Sequence, residues 1–164
     1  MLTYKKKQKI LIEYIQNYKE KLYRLAYSYV KDEQLAMDVI QESIEKSLTS
    51  LEKLKNPDYI GTWMYRIVVN TSVNLIRKNK KIIYMDEVPE RSQKEEVGID
   101  EKMDLYEAID KLKEEYKTVI MLRYFEDLTL NDIAEITGVP LSTVKTRIYT
   151  AIRQLKKLSK CEVS

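Results

Sequence analysis

The residues best suited to chemistry lie in the segment 128–157, LTLNDIAEITGVPLSTVKTRIYTAIRQLKK. Ile133, Ala134 and Ile136 give a short helix its apolar face. Gly138 stands where a chain leaving a helix needs a left-handed residue, and Pro140 can open the next helix without losing a backbone bond. Further on, Val144, Ile148, Ile152 and Leu155 recur at helical spacing, while Lys145, Thr146, Arg147, Tyr149, Arg153 and Lys156 fall on other faces. The pattern is that of a helix-turn-helix with a basic second helix. A major groove about 12 Å wide admits one such helix, whose first turns meet base edges while flanking basic residues meet phosphates. Lys145, Thr146 and Tyr149 are the candidate base readers. The plainer alternative is a protein-binding module whose basic helix is only solvated.

Other chemistries find little support. The chain has no histidine and a single cysteine, Cys161, which reads as an exposed thiol. Histidine acid–base work, disulfides and the usual zinc constellations are therefore not expected, and no phosphate-cradling glycine loop is present. We expect no catalytic residue, no metal, no cofactor and no small-molecule substrate. Net charge is only +3 over 164 residues, so the distribution of charge matters more than its sum. Lys5, Lys6, Lys7 and Lys9 are followed by alternating apolar and charged residues rather than by a continuous apolar core, and no apolar run approaches membrane-spanning length. The expected compartment is the cytoplasm.

The elements that must position the basic helix are read from periodicity. Ile10, Tyr14, Tyr18, Leu22, Leu25 and Tyr29 predict a long amphipathic helix ending near Val30. Asp32 is a cap for a second helix, whose stripe Leu35, Val39, Ile40, Ile44, Leu48, Leu51 and Leu54 is predicted to end at Pro57. The polar set Asp38, Gln41, Glu42 and Glu45 interrupts that helix and suits a basic or polar partner, or simply water. A third helix, from about Ile60, carries Trp63, Met64, Ile67, Val68, Val73, Leu75 and Ile76 into Arg77, Lys78, Lys80 and Lys81. After Tyr84 the composition turns acidic, with Asp86, Glu87, Glu90, Glu95, Glu96, Asp100 and Glu101 among Pro89, Ser92 and Gly98; this reads as a linker. Periodicity resumes with Leu105, Ile109, Leu112, Val119, Ile120, Leu122 and Phe125. The expected fold is all-α: two small helical domains joined by a flexible acidic linker, the C-terminal one a helix-turn-helix.

Three ordered segments carry a resemblance: LYRLAYSYV with the following D-V-I-Q-E at 38–42, TWMYRIVVN at 62–70, and LRYFEDLTLNDIAEITGVPLSTVKTRI at 122–148. In their order and spacing the chain resembles the extracytoplasmic-function sigma factors, the compact two-domain branch of the bacterial sigma-70 family. The resemblance runs from Leu22 to Leu155. It implies that 1–82 binds the polymerase clamp and melts the minus-ten promoter element, that 83–102 is the acidic linker, threading toward the active-site channel and RNA exit path, and that 103–164 binds the minus-thirty-five element. Core RNA polymerase, through its β′ clamp helices and β flap, and promoter DNA are the implied partners. An anti-sigma factor, commonly anchored in the membrane, is a further one.

The resemblance also assigns residues. Asp38, Gln41 and Glu42 match positions that contact the β′ clamp helices. Leu54, Ile67 and Asn70 match a pocket for a flipped non-template base, with Leu54 standing where an aromatic residue is frequent and Asn74 where Asp is. Trp63 and Tyr65 flank that pocket, although a lone Trp in a helical domain is more often core than platform. Arg66, Arg77, Lys78, Lys80 and Lys81 suit phosphates. Arg123, Lys145, Thr146 and Tyr149 match positions at the minus-thirty-five duplex. Arg147 and Arg153 support the phosphates or the fold. Ser142, where the family usually has glycine, and Thr143 begin the same DNA-contacting helix, and Thr150 replaces a common basic residue.

The leading expectation is a promoter-specificity subunit that opens DNA without making covalent bonds itself. One rival is a stand-alone helix-turn-helix regulator that binds its operator as a dimer; another is a helical adaptor that binds only protein.

Overall fold

The computed structural model describes residues 3–86 and 104–159, with the side chains of all but 80–86 among them. Every regular element among the described residues is helical. The chain divides into two compact units, Met1–Lys81 and Ile82–Ser164.

In the first unit, α1 spans Tyr4–Val30. Thr3 caps it by accepting from the Lys6 amide at 3.2 Å. It stops where Lys31 enters the left-handed region at φ 55°, with the Lys31 amide returning to the Tyr27 carbonyl at 2.8 Å. Asp32 then accepts from the Leu35 amide at 2.8 Å and opens α2, Glu33–Thr49. Leu22, Leu25, Ala26 and Tyr29 of α1 and Ala36, Val39, Ile40, Ser43 and Ser47 of α2 are buried, and the two helices pack together.

The end of α2 corrects the sequence reading. The helix stops at Thr49, well before Pro57: Ser50 leaves helical geometry at φ −102°, ψ 8°, while its amide still closes the last turn onto the Lys46 carbonyl at 3.0 Å. Leu51 and Leu54 remain in the core, but from a tight turn (Leu51–Lys53) and the extended residue after it. Pro57 begins a second turn, Pro57–Tyr59, rather than ending a helix.

That turn runs directly into α3, Ile60–Asp86. Ile60, Met64, Tyr65, Val68, Val69, Thr71 and Ser72 are buried at steps of three and four. The Lys46 ammonium of α2 donates to the Thr71 hydroxyl at 3.2 Å, and Gly61 faces the Tyr14 ring of α1. Each fully buried aliphatic side chain here contributes roughly 1.5–3 kcal/mol. Because α3 continues through Asp86, residues 83–86 of the expected linker are helical; residues 87–103 lie outside the described residues, as does Cys161.

In the second unit, Asp104 caps α4, Leu105–Lys111, through the Glu107 amide at 3.0 Å. After Leu112 the chain enters α5, Glu114–Ile120, which passes into a π-type turn, Met121–Phe125, closed by Glu126 N–H to the Met121 carbonyl at 3.0 Å. The periodic residues Leu105, Ile109 and Leu112 thus belong to α4 and its end, and Val119, Ile120, Leu122 and Phe125 to α5 and the π-type turn. The wider turn rotates its last residue off the buried face, so Phe125 is 42% exposed and lies against Tyr106, ring centroids 6.1 Å apart. The pair α6, Leu130–Thr137, and α7, Leu141–Leu158, completes the unit. Ala108, Ile109, Leu112, Ile120, Ala151 and Leu155 form one core cluster.

Candidate nucleic-acid interface

Local chemistry builds the helix-turn-helix. Thr129 and Asp132 form a reciprocal capping box, the Thr129 hydroxyl accepting from the Asp132 amide at 3.1 Å and the Asp132 carboxylate from the Thr129 amide at 3.4 Å. Gly138 adopts φ 75°, and its amide returns to the Ala134 carbonyl at 2.8 Å, which ends α6. Pro140 serves as the N-cap of α7 rather than its first helical residue, its carbonyl accepting from the Thr143 and Val144 amides at 2.9 and 3.1 Å. Ile133, Ile136 and Val144 are buried between the two helices, while Ala134 is only half-buried.

On α7 the face opposite Val144, Ala151 and Leu155 carries Ser142, Lys145, Thr146, Tyr149 and Arg153, all exposed. Tyr149 is 67% exposed, and the Arg153 guanidinium lies over its ring at 5.3 Å, a contact worth about 0.5–1 kcal/mol at the surface. The Thr146 hydroxyl donates to the Ser142 carbonyl at 3.0 Å, so its proton is already committed and its methyl group and oxygen lone pair are what remain for a base edge. Thr143 and Thr150 are half-buried at the margin of this face. Arg147 is also half-buried and pairs with Glu115 at 4.0 Å, tying α7 to α5.

Arg123 stands apart from these. It sits half-buried in the π-type turn and donates through Nη1 to the Leu128 carbonyl at 2.9 Å, immediately before the cap of α6. Behind α7, an apolar groove of about 220 Å³ opens between Leu105, Ile109, Ile120, Tyr124, Phe125 and Ile152.

In the first unit, Arg66, Asn70 and Arg77 are exposed on α3, with Trp63 and Ile67 half-buried beside them. Leu54 is 5% exposed, and its side chain belongs to the core. Lys78 is exposed; the side chains of Lys80 and Lys81 lie outside those described. Asp38, Gln41 and Glu42 are exposed together on α2. Gln34 donates to Asp38 at 3.1 Å and Lys46 pairs with Glu42 at 3.2 Å, so local partners pre-orient both carboxylates. Met37, 59% exposed, shares this face. Sequence periodicity passed over it, because an exposed apolar side chain inside a polar patch leaves no mark on the buried stripe.

At the corner between α1 and α2, desolvation raises the Tyr23 phenol above its ordinary value, and Glu33, Tyr27 and Asp32 add to this. Among the described residues no group of three His, Cys, Asp or Glu side chains gathers as a metal site, and no helix is long and apolar enough to cross a membrane.

Residues 14–82 match the family described as Sigma-70 region 2, and residues 102–155 match Sigma-70, region 4. RNA polymerase sigma factor SigV of Bacillus subtilis is 46% identical over 98% of this chain and 99% of its own length. The ECF RNA polymerase sigma factor SigW of the same organism is 30% identical, covering 85% of this chain and 83% of that protein. Among solved structures, the Bartonella quintana sigma factor RpoE, crystallised with the anti-sigma factor NepR, superposes with a TM-score of 0.70 at 20% identity over 89% of this chain and 94% of that one. CnrH, in complex with the cytosolic domain of CnrY, gives 0.67 at 19% identity over 92% and 88%. The fold is shared with both, and at the level of sequence the chain belongs to the sigma-70 family, within its extracytoplasmic-function branch.

Proposed function

We propose that this protein gives core RNA polymerase its choice of promoter, with 1–82 as the clamp- and minus-ten-binding part, 83–102 as a strap and 103–164 as the minus-thirty-five reader. Asp38, Gln41 and Glu42, with Met37 among them, meet the β′ clamp helices. Asn70, Ile67 and Trp63 hold an unpaired base of the minus-ten element, and Arg66 and Arg77 steady its phosphates. Ser142, Thr143, Lys145, Thr146 and Tyr149 enter the major groove of the minus-thirty-five element, with Arg147 and Arg153 in support. The apolar groove behind α7 receives the β flap. The protein makes and breaks no covalent bond itself and works in the cytoplasm.

The observation that carries this reading is the occurrence of both sigma-70 regions in one chain, in family order, with an exposed reading face on α7. An exposed clamp face and an exposed DNA face also call for restraint, and an anti-sigma factor anchored at the inner membrane face is the partner we assign to that task. Of two solved structures that share this fold, one holds the anti-sigma factor NepR and the other the cytosolic domain of CnrY.

Gel filtration of the purified chain with core polymerase tests the reading. Co-elution is expected, and Glu42→Lys, at an exposed position, should abolish it without unfolding the protein. An unmixed elution of wild-type chain and core, together with tight binding of the chain alone to a DNA operator, would instead mark a stand-alone regulator.

A further inference from the structure

We infer that Thr146 is an acceptor-only reader: of the groups that a base pair shows in the major groove it takes an exocyclic amino group, adenine N6 or cytosine N4, and turns away the carbonyls. The inference rests on the reading of α7 as the helix that enters the groove, and it names what one of its side chains recognises there. Threonine hydroxyls in general serve either role, because they carry one proton and two lone pairs. This one is constrained by its own helix. Thr146 Oγ1 donates to the Ser142 carbonyl at 3.0 Å, four residues back along α7.

Counting bonds decides between the two roles. To donate to a base carbonyl, the hydroxyl must first release Ser142, so one bond is exchanged for another at no gain. To accept from an amino group it releases nothing, and the complex gains a bond. A base carbonyl pressed against the same oxygen would set two acceptors face to face and leave both unpaired once water is expelled. The position of Thr146 makes the choice count. It is exposed, stands sixth in α7 and shares an outward face with Ser142, Lys145 and Tyr149, so it meets base edges when the first turns of the helix enter the groove.

The neighbouring residue has the opposite polarity. Lys145, also exposed, ends in an ammonium that only donates and therefore suits guanine N7 and O6 or thymine O4. Side by side, the two residues ask base edges for opposite things: an acceptor at Lys145 and a donor at Thr146. A register that presented each with the other's partner would leave both unsatisfied, so the pair also fixes where α7 sits along the element.

The test uses holoenzyme assembled from core polymerase and this chain, on a promoter selected from a random library by run-off transcription. Competition binding is measured on copies of that promoter with one altered base at a time in the minus-thirty-five element. N6-methyladenine and N4-methylcytosine block the amino hydrogen that faces the groove and keep the base pair; 4-thiothymine and 6-thioguanine weaken the carbonyl instead. Blocking the amino group at one position is expected to weaken wild-type binding about 2- to 12-fold, the range for one hydrogen bond. Which of the two methylated bases does so tells adenine from cytosine. Thr146→Val, of the same shape but without the hydroxyl, should show that loss on the unmodified promoter and no further loss at the methylated base. Thr146→Ser should bind as wild type, and the thio bases should affect wild type and Thr146→Val alike.

A Thr146→Val loss tied to a thio base would mean that the hydroxyl swings round to donate, and would overturn the inference. So would a methyl penalty that persists undiminished in Thr146→Val, which marks a clash, and so would a Thr146→Val loss that is absent or equally large on a scrambled element. Each of these results leaves the reading of α7 to Lys145 and Tyr149. Wild-type holoenzyme that binds the scrambled element as well as the selected one would overturn that reading and this inference with it.

Discussion

Arg123→Ala separates a base-contacting role from a structural one. By resemblance the residue meets the minus-thirty-five duplex, yet its guanidinium donates to the Leu128 carbonyl at 2.9 Å and so fixes the entry to α6. A hydrogen bond from a charged donor is worth about 1.5–3 kcal/mol. Arg123 is half-buried, and water can reach the freed carbonyl, which places the cost near the lower end, about 1.5 kcal/mol. Local opening of α6 should then be favoured roughly tenfold. Hydrogen–deuterium exchange on the full chain reads this directly: amides of Leu130–Thr137 should exchange about tenfold faster, while those of α1, in the other unit, stay unchanged as an internal control. The helix remains overwhelmingly folded, so affinity for the duplex should fall evenly over all sequences, with the salt slope reduced by no more than about one unit. Arg123→Lys should recover part of the protection. Unchanged exchange in α6 combined with lost preference at one base pair would refute the reasoning and make Arg123 a reader of sequence.

Three further outcomes follow from the same geometry. Asn70→Ala, at an exposed position, should leave polymerase binding intact but impair promoter opening; permanganate reactivity of the start region that matches wild type would remove Asn70 from the site. Lys145→Ala should cost about 1–3 kcal/mol at one position of the minus-thirty-five element if the ammonium touches a base, whereas uniform weakening across sequences, measured by competition binding, would make it a phosphate contact. Gly138→Ala forces a Cβ into left-handed backbone at φ 75° and should destabilise the helix-turn-helix by about 1–2 kcal/mol, read as a melting point several degrees lower; an unchanged melting point would contradict the turn geometry.

Much of the architecture could be read from the chain because its signals are local. Asp32 before α2, Gly138 after α6 and Pro140 before α7 each act on the backbone within a few residues, so each marks a boundary whatever packs around it. The stripe of Leu22, Leu25 and Tyr29 declares its helix in the same way. What escaped depends on register or on tertiary packing. The helix stops at Thr49 although the apolar stripe of α2 runs on into Leu51 and Leu54; a buried leucine is compatible with a tight turn as well as with a helix, so the stripe does not mark the end. The π-type turn at Met121–Phe125 alters register by a single residue and leaves no compositional trace, so the exposure of Phe125 does not follow from its place in the periodic pattern. The candidate site divides along the same line. Lys145, Thr146 and Tyr149 stand out because their faces follow from helical spacing alone. The depth of Leu54, the exposure of Met37 and the hold of Arg123 on Leu128 require knowing what each side chain packs against.

The central claim is that start-site choice passes from this protein to a polymerase that lacks it. Run-off transcription on a library of random promoter fragments, with core polymerase alone and with core plus purified protein, measures that directly. The account predicts discrete transcripts that appear only with the protein and share two spaced sequence elements upstream of their starts. Transcripts identical in the two reactions, from protein shown to be folded, would contradict it.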